Sequence, residues 1–275
     1  MSKHTSFPLA ALFAALIALP SCRKACDFIH DHPDAHDSLC RITRLTVRGF
    51  FRNPDTFNIA YNAKGNPVSM LAKDPPGTLG NVDHYYRYDR FDRLSDYMIT
   101  FIGSTGAIGW DKYAYPRKDY VTDTSFSYVG TVDGPSPVST GVTSYSIRAY
   151  TLDAHGRIVK VWEVPTDPHQ PPVLQRTITY DANGNLPLPS PDLSYDDKVN
   201  IYRTSKTWQF VYNDYSRNNV IKDDHLFFPT YNSFGLPLYI RNLESYYIYP
   251  FNIENTDPVM TVTYACSPPH GPVNY

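Results

Sequence analysis

A seven-residue unit recurs along this chain and leaves few folds open to it. Tyr61 to Pro67 reads Tyr-Asn-Ala-Lys-Gly-Asn-Pro, and Tyr180 to Leu186 reads Tyr-Asp-Ala-Asn-Gly-Asn-Leu. Tyr231 to Pro237 carries the same Asn232 and Gly235. Tyr88 to Leu94 lacks the Gly, and Tyr150 to Ile158 is a longer version with Asp153 and Gly156. Adjacent copies are about 30 residues apart, within the range that signals repeat architectures. The physics of the unit is a turn. The Tyr ends a strand, and the Asp or Asn opens the turn through its side-chain oxygen. The Gly takes positive φ, and a Leu, Ile or Pro leads into the next strand. Each copy therefore predicts a β-hairpin, with turns at Gly65, Gly156, Gly184 and Gly235.

Composition agrees with strands. Aromatics make up 15% of the chain, including 23 Tyr, and the 24 Pro and 14 Gly break up long helices. Glu occurs only at 163, 244 and 254, and Ala is sparse after the first two dozen residues, so strong helix formers are scarce. Segments such as Ser144 to Tyr150 and Val259 to Tyr264 alternate as strands do. The expected fold is mostly β: a curved antiparallel β-hairpin meander, open or partly closed. One short helix is expected over 206–216, where Trp208, Val211, Tyr212 and Tyr215 recur at helical spacing. Ser205 is its N-cap, and Asn218-Asn219 its end. Residues 187–202, rich in Pro and Asp, read as a long loop of the kind that carries function.

The Tyr180–Leu186 copy resembles the tyrosine–aspartate (YD) repeat of the Rhs family, Tyr-Asp-x-x-Gly-Asn/Arg-Leu. The other copies are degenerate. In Rhs proteins such repeats build extended antiparallel sheet that curls into a shell. Five copies are too few for a closed shell, so the resemblance implies a curved open sheet or partly closed barrel.

The N-terminus carries a second signal. Lys3 and His4 precede an apolar run from Phe7 through Leu19, followed by Leu19-Pro20-Ser21-Cys22. The run has the length of a secretory h-region and is too short to span a bilayer. The tetrapeptide resembles a bacterial lipobox. That implies a lipoprotein signal peptide over 1–21, cleavage before Cys22, and a diacylglyceryl thioether on its sulfur. Arg23 is not the Asp associated with inner-membrane retention, so the expected location is the outer membrane, on its periplasmic face or the cell surface. Residues 22–39 read as a polar tether and 40–275 as one β-rich domain. The arrangement is similar to a class of uncharacterised Gram-negative lipoproteins that has a near-terminal Tyr-x-Cys, here Tyr264-Ala265-Cys266.

With Cys22 lipidated, Cys26, Cys40 and Cys266 remain, and three pairings are open. Cys40–Cys266 is preferred because these two flank the globular part. In a simple meander that bridge requires the two ends of the sheet to curl together.

Function is less legible. The net charge of −2 offers no basic excess for nucleic acid. There is no His-Glu-x-x-His, no Gly-x-Ser-x-Gly and no phosphate-cradling loop. Asp196-Asp197 and Asp223-Asp224 are neighbours, which a strand points to opposite faces. His30, His32 and His36 with Asp31, Asp34 and Asp37 read as solvated spacer, so neither metal nor cofactor is expected. Tyr85, Tyr86, Tyr88, Tyr113, Tyr115, Tyr246, Tyr247 and Tyr249, with Trp110, Trp162 and Trp208, are core candidates first and sugar-stacking candidates second. The expectation is a lipid-anchored envelope protein with a non-enzymatic binding or scaffolding role. Its partners are the membrane, through the lipid, and a glycan, peptide or envelope protein. The alternative is a polysaccharide hydrolase using Asp carboxylates.

Overall fold

The computed structural model describes residues 40–48, 54–73, 82–101, 107–133, 136–191, 193–222, 230–241 and 259–266. The leader, the tether with Cys22, the Asp223-Asp224 pair and the tyrosines at 246, 247 and 249 lie outside them.

The fold is mostly β. Strands β1 (Cys40–Arg48), β2 (Pro54–Tyr61), β3 (Pro67–Ala72), β4 (Val82–Tyr88) and β5 (Leu94–Phe101) form an antiparallel meander. It continues through β6 (Ala107–Arg117), β7 (Tyr120–Asp133), β8 (Ser136–Leu152), β9 (Ile158–Val164) and β10 (Val173–Thr177). Strands β11 (Leu193–Tyr195) and β12 (Val220–Lys222) pair, among the described residues, with each other alone. Strands β13 (Thr230–Tyr231), β14 (Pro237–Arg241) and β15 (Val259–Cys266) then join the first sheet on the free side of β1. The result is one open 13-stranded sheet, β10-β9-β8-β7-β6-β5-β4-β3-β2-β1-β15-β14-β13.

Cys40 and Cys266 are register partners on β1 and β15 and are joined by a disulfide, with Cα atoms 4.0 Å apart. The expectation that this bridge forces the ends of the sheet together is wrong. The last strand does not meet the first by closure. It returns to pair with β1 directly, in the interior of an open sheet.

The five turns share one bonding pattern. In the first, Gly65 N–H donates to Asn62 O, and Asn62 N–H donates to Asn66 O. Asn62 Oδ1 accepts from both Lys64 N–H and Asn66 N–H. Asp89, Asp153, Asp181 and Asn232 repeat both parts at their own turns. One carboxylate or amide oxygen thus satisfies two turn N–H groups, which is why Asp or Asn opens every copy. Gly65, Gly156, Gly184 and Gly235 sit at φ 90, 78, 83 and 73. Asp92 takes the missing glycine's place in the second copy at φ 61, a conformation Asp tolerates better than most residues. We expect Gly184→Val to destabilise by about 1–3 kcal/mol, read by urea unfolding, because Val cannot adopt this φ without strain. A neutral result would contradict the turn's role.

Two copies differ from their sequence reading. In the third, Leu152 pairs with Ile158, as Tyr61 pairs with Pro67 and Tyr88 with Leu94. Leu152, not Tyr150, therefore holds the strand-end position. The fourth, Tyr180–Leu186, keeps the turn but is no hairpin. Strand β10 ends at Thr177, and Pro187, Pro189 and Pro191 have no N–H with which to build a strand after the turn.

The unit also has a long-range part. Tyr88, Tyr115, Tyr180, Tyr195 and Tyr264 each donate a hydroxyl to the carbonyl of the residue leaving the previous turn. These acceptors are Pro67, Leu94, Ile158, Leu186 and Pro237, at 2.7, 2.8, 3.1, 2.8 and 2.7 Å. Arg93 and Arg157 add a second tie. Each binds its own turn Asp and lies over the ring of Tyr115 or Tyr180, 4.3 and 4.0 Å from the centroid.

The segment after the fourth turn covers one sheet face. A 3-10 helix (Ile201–Thr204) leads into helix α1 (Lys206–Tyr212), shorter than the 206–216 predicted. Ser205 caps its start by accepting from Thr207 N–H, but Asn213 in the left-handed region ends it, not Asn218-Asn219. Trp208 is buried edge-on against Tyr86, with ring centroids 5.3 Å apart. Phe210 packs edge-on against Tyr113 and Tyr150. The 187–202 stretch is accordingly not a free loop. It holds β11 and the start of the 3-10 helix, and Asp196 ties it down by accepting from Tyr231 Oη at 2.6 Å and from Asn219.

Candidate ligand-binding surface

Strands β6 to β9 carry the most distinctive side chains, and alternation separates them onto two faces. On one face Trp110, Phe126 and Tyr145 are register partners across β6, β7 and β8. Their rings form a row, with centroids 5.7 and 6.3 Å apart. Trp110 is fixed by its indole N–H, which donates to Asp96 Oδ1 at 2.9 Å, and Lys112 lies over its ring. Tyr145, at the outer end, is 50% exposed. It also lines a cavity of about 620 Å³ that draws on both faces: Trp162 comes from the ring face, while Arg148 and Glu163, register partners on β8 and β9, come from the other, with Gln170 and Gln175 beside them. The Trp162 indole is held by Thr151 Oγ1 at 3.0 Å, and Gln175 Nε2 donates to Glu163 Oε2 at 2.8 Å. Rings beside amides and carboxylates suit a ligand with apolar faces and hydroxyl edges.

The other face holds a charged cluster. Asp111 on β6, Asp123 on β7 and Arg148 on β8 meet where α1 packs. Arg148 Nη2 is 2.9 Å from Asp123 Oδ2 and 3.9 Å from Asp111 Oδ1. Tyr150 donates its hydroxyl to Asp123 Oδ2 at 2.8 Å. Asp123 is fully buried, and its Oδ1 has no partner among the described residues. Burial first, and then the charge of Asp111, push the Asp123 carboxyl up to about 6. Burial likewise raises Asp111, against Ser125 and Arg148. One guanidinium serves two carboxylates, so the cluster favours keeping one proton.

This sets a pH signature. Asp123 titrates near 3.8 unfolded and near 6 folded, so its share of stability is full below 3.8 and is lost as pH rises through 6. Buried His84, pushed down to about 3 by burial, acts oppositely and costs stability as pH falls below its ordinary 6.5. We expect Asp123→Asn to flatten the change of Tm between pH 4 and 6 relative to wild type. Parallel curves for the two proteins would refute it.

Sequence reasoning singled out Trp110 and Trp162 but missed Asp111, Asp123, Arg148 and Tyr150. It weighed only adjacent Asp pairs, whereas this pair is brought together by the β6–β7 register, Tyr113 opposite Asp123 and Asp111 opposite Ser125. The usable signal was Asp111 alternating in phase with Tyr113 and Tyr115. The tyrosine clusters split: Tyr86 and Tyr113 are buried core, as is Trp208. None of Gly65, Gly156, Gly184 and Gly235 lines the cavity. The described residues hold no group of three or more His, Cys, Asp or Glu placed to bind a metal ion. No family model matches the chain, and no curated protein matches it.

Proposed function

We propose that this is a lipid-anchored cell-envelope protein that binds a saccharide without turning it over. The anchor is the lipid on Cys22, and the location is the outer membrane. The observation that carries the binding reading is the ring row Trp110–Phe126–Tyr145 running into a cavity walled by Gln170, Gln175 and Glu163. Flat rings stack on the apolar faces of pyranoses, and the amides and carboxylates take hydroxyls. Tyr145 is the residue to test, because it is half exposed and lies outside the buried core. Tyr145→Ala should weaken oligosaccharide binding on the order of tenfold in calorimetric titration. Unchanged affinity would place the ligand elsewhere. For the anchor, wild type should incorporate labelled fatty acid, and Cys22→Ala should leave the membrane fraction. A Cys22→Ala protein still in the membrane, with no label in wild type, would refute it.

The hydrolase alternative has one observation in its favour, the Asp111–Asp123 pair with Asp123 raised to about 6. Against it, Asp123 is sealed beneath Arg148 and Tyr150 and is 0% exposed, so a glycosidic oxygen has no path to it. A general acid must lie within hydrogen-bond reach of the atom it protonates.

A further inference from the structure

Strand β10 is one of the two edge strands of the sheet, paired on one side with β9 and, among the described residues, with nothing on the other. All five of its residues are exposed, including Val173 at 53% and Leu174 at 45%. An edge of this kind is a template for another strand. Its charges are also ordered. Exposed Glu163 and Asp167 lie at the Val173 end, where Val173 is opposite Glu163. Exposed Lys160 and Arg176 lie at the other end, where Thr177 is opposite Lys160. A strand that is acidic at one end and basic at the other complements itself when turned antiparallel. An antiparallel copy sets Val173 against Thr177 and Leu174 against Arg176 of its twin, acidic end to basic end. This is an isologous contact, closed after two copies.

We infer that β10 pairs with β10 of a second copy of this chain, antiparallel about a two-fold axis near Gln175, joining two sheets edge to edge. Five residues a side make a contact below the usual interface size, so the dimer is weak in dilute solution. Confinement to one membrane raises its population without any new contact. Pro171 and Pro172 and the bulge between Leu174 and Arg176 limit the pairing to this short stretch and guard against open-ended assembly.

The test uses the full-length chain carrying Cys22→Ala and Cys26→Ser, which leaves only the bridged cysteines. Adding Gln175→Cys should give a disulfide-linked dimer under copper–phenanthroline oxidation. Ala63→Cys, at an exposed turn, should stay monomeric. In sedimentation equilibrium, Glu163→Lys should weaken association about fivefold, and adding Arg176→Glu, on β10 itself and in phase with Glu163, should restore it. Cross-linking no faster at 175 than at 63 overturns the inference, as does a monomer at every concentration. Dimers indifferent to both charge changes overturn it too. Glu163 and Gln175 also wall the proposed saccharide cavity, so saccharide binding is read on Tyr145→Ala, which leaves β10 unchanged.

Discussion

Replacing Cys40 and Cys266 together by Ser should lower stability by on the order of 4–5 kcal/mol in urea unfolding under oxidising conditions. The bridge closes a loop with a sequence separation of 226, so it removes much freedom from the unfolded chain. The folded state should change little, because β1 and β15 are also paired from Cys40–Cys266 through Val47–Met260. The expected pattern is a lower midpoint with the native circular-dichroism spectrum retained. A loss below about 1 kcal/mol would mean that the strand pair alone sets the closure. A single Cys26→Ser change should be silent by comparison.

Trp208→Ala should cost about 3–5 kcal/mol, the usual range for emptying a buried indole site. Trp208 is 3% exposed, edge-on to Tyr86 and parallel to Tyr212. It is the main peg between α1 and the sheet, and the neighbouring Thr207 Oγ1 bonds to Tyr88 Oη at 2.9 Å. A seven-residue helix has little stability of its own, so its packing must hold it. Trp208→Phe should recover most of the loss. If Trp208→Ala costs under 1 kcal/mol, the helix is an accessory to the sheet and not part of its core.

The turns were legible because their chemistry is local. An Asx oxygen and a positive-φ residue five positions into the unit fix the geometry, so reading the sequence was enough at Gly65, Gly156, Gly184 and Gly235. Asp92 and Leu152 show the limit. Asp can fill a glycine's place and Leu a tyrosine's once neighbouring strands hold the register, and no local pattern announces either swap. The tyrosine hydroxyl ties were invisible for the opposite reason: each joins a turn to a tyrosine 9 to 27 residues further along the chain. The return of β15 to β1 was likewise hidden. Two cysteines specify a contact but not whether the sheet reaches it by curling or by inserting a strand. The Asp111–Asp123–Arg148 cluster needed three strands in register before it existed at all.

Binding without turnover is what separates the proposed role from a hydrolase. A glycan array probed with the full-length chain, run beside a reducing-sugar release assay on every saccharide bound, tests it most directly. At least one saccharide class should bind, about tenfold more weakly in Tyr145→Ala, with no reducing ends released by wild type. Release of reducing ends that disappears in Asp123→Asn would contradict it and make the buried carboxylates the working part of the molecule.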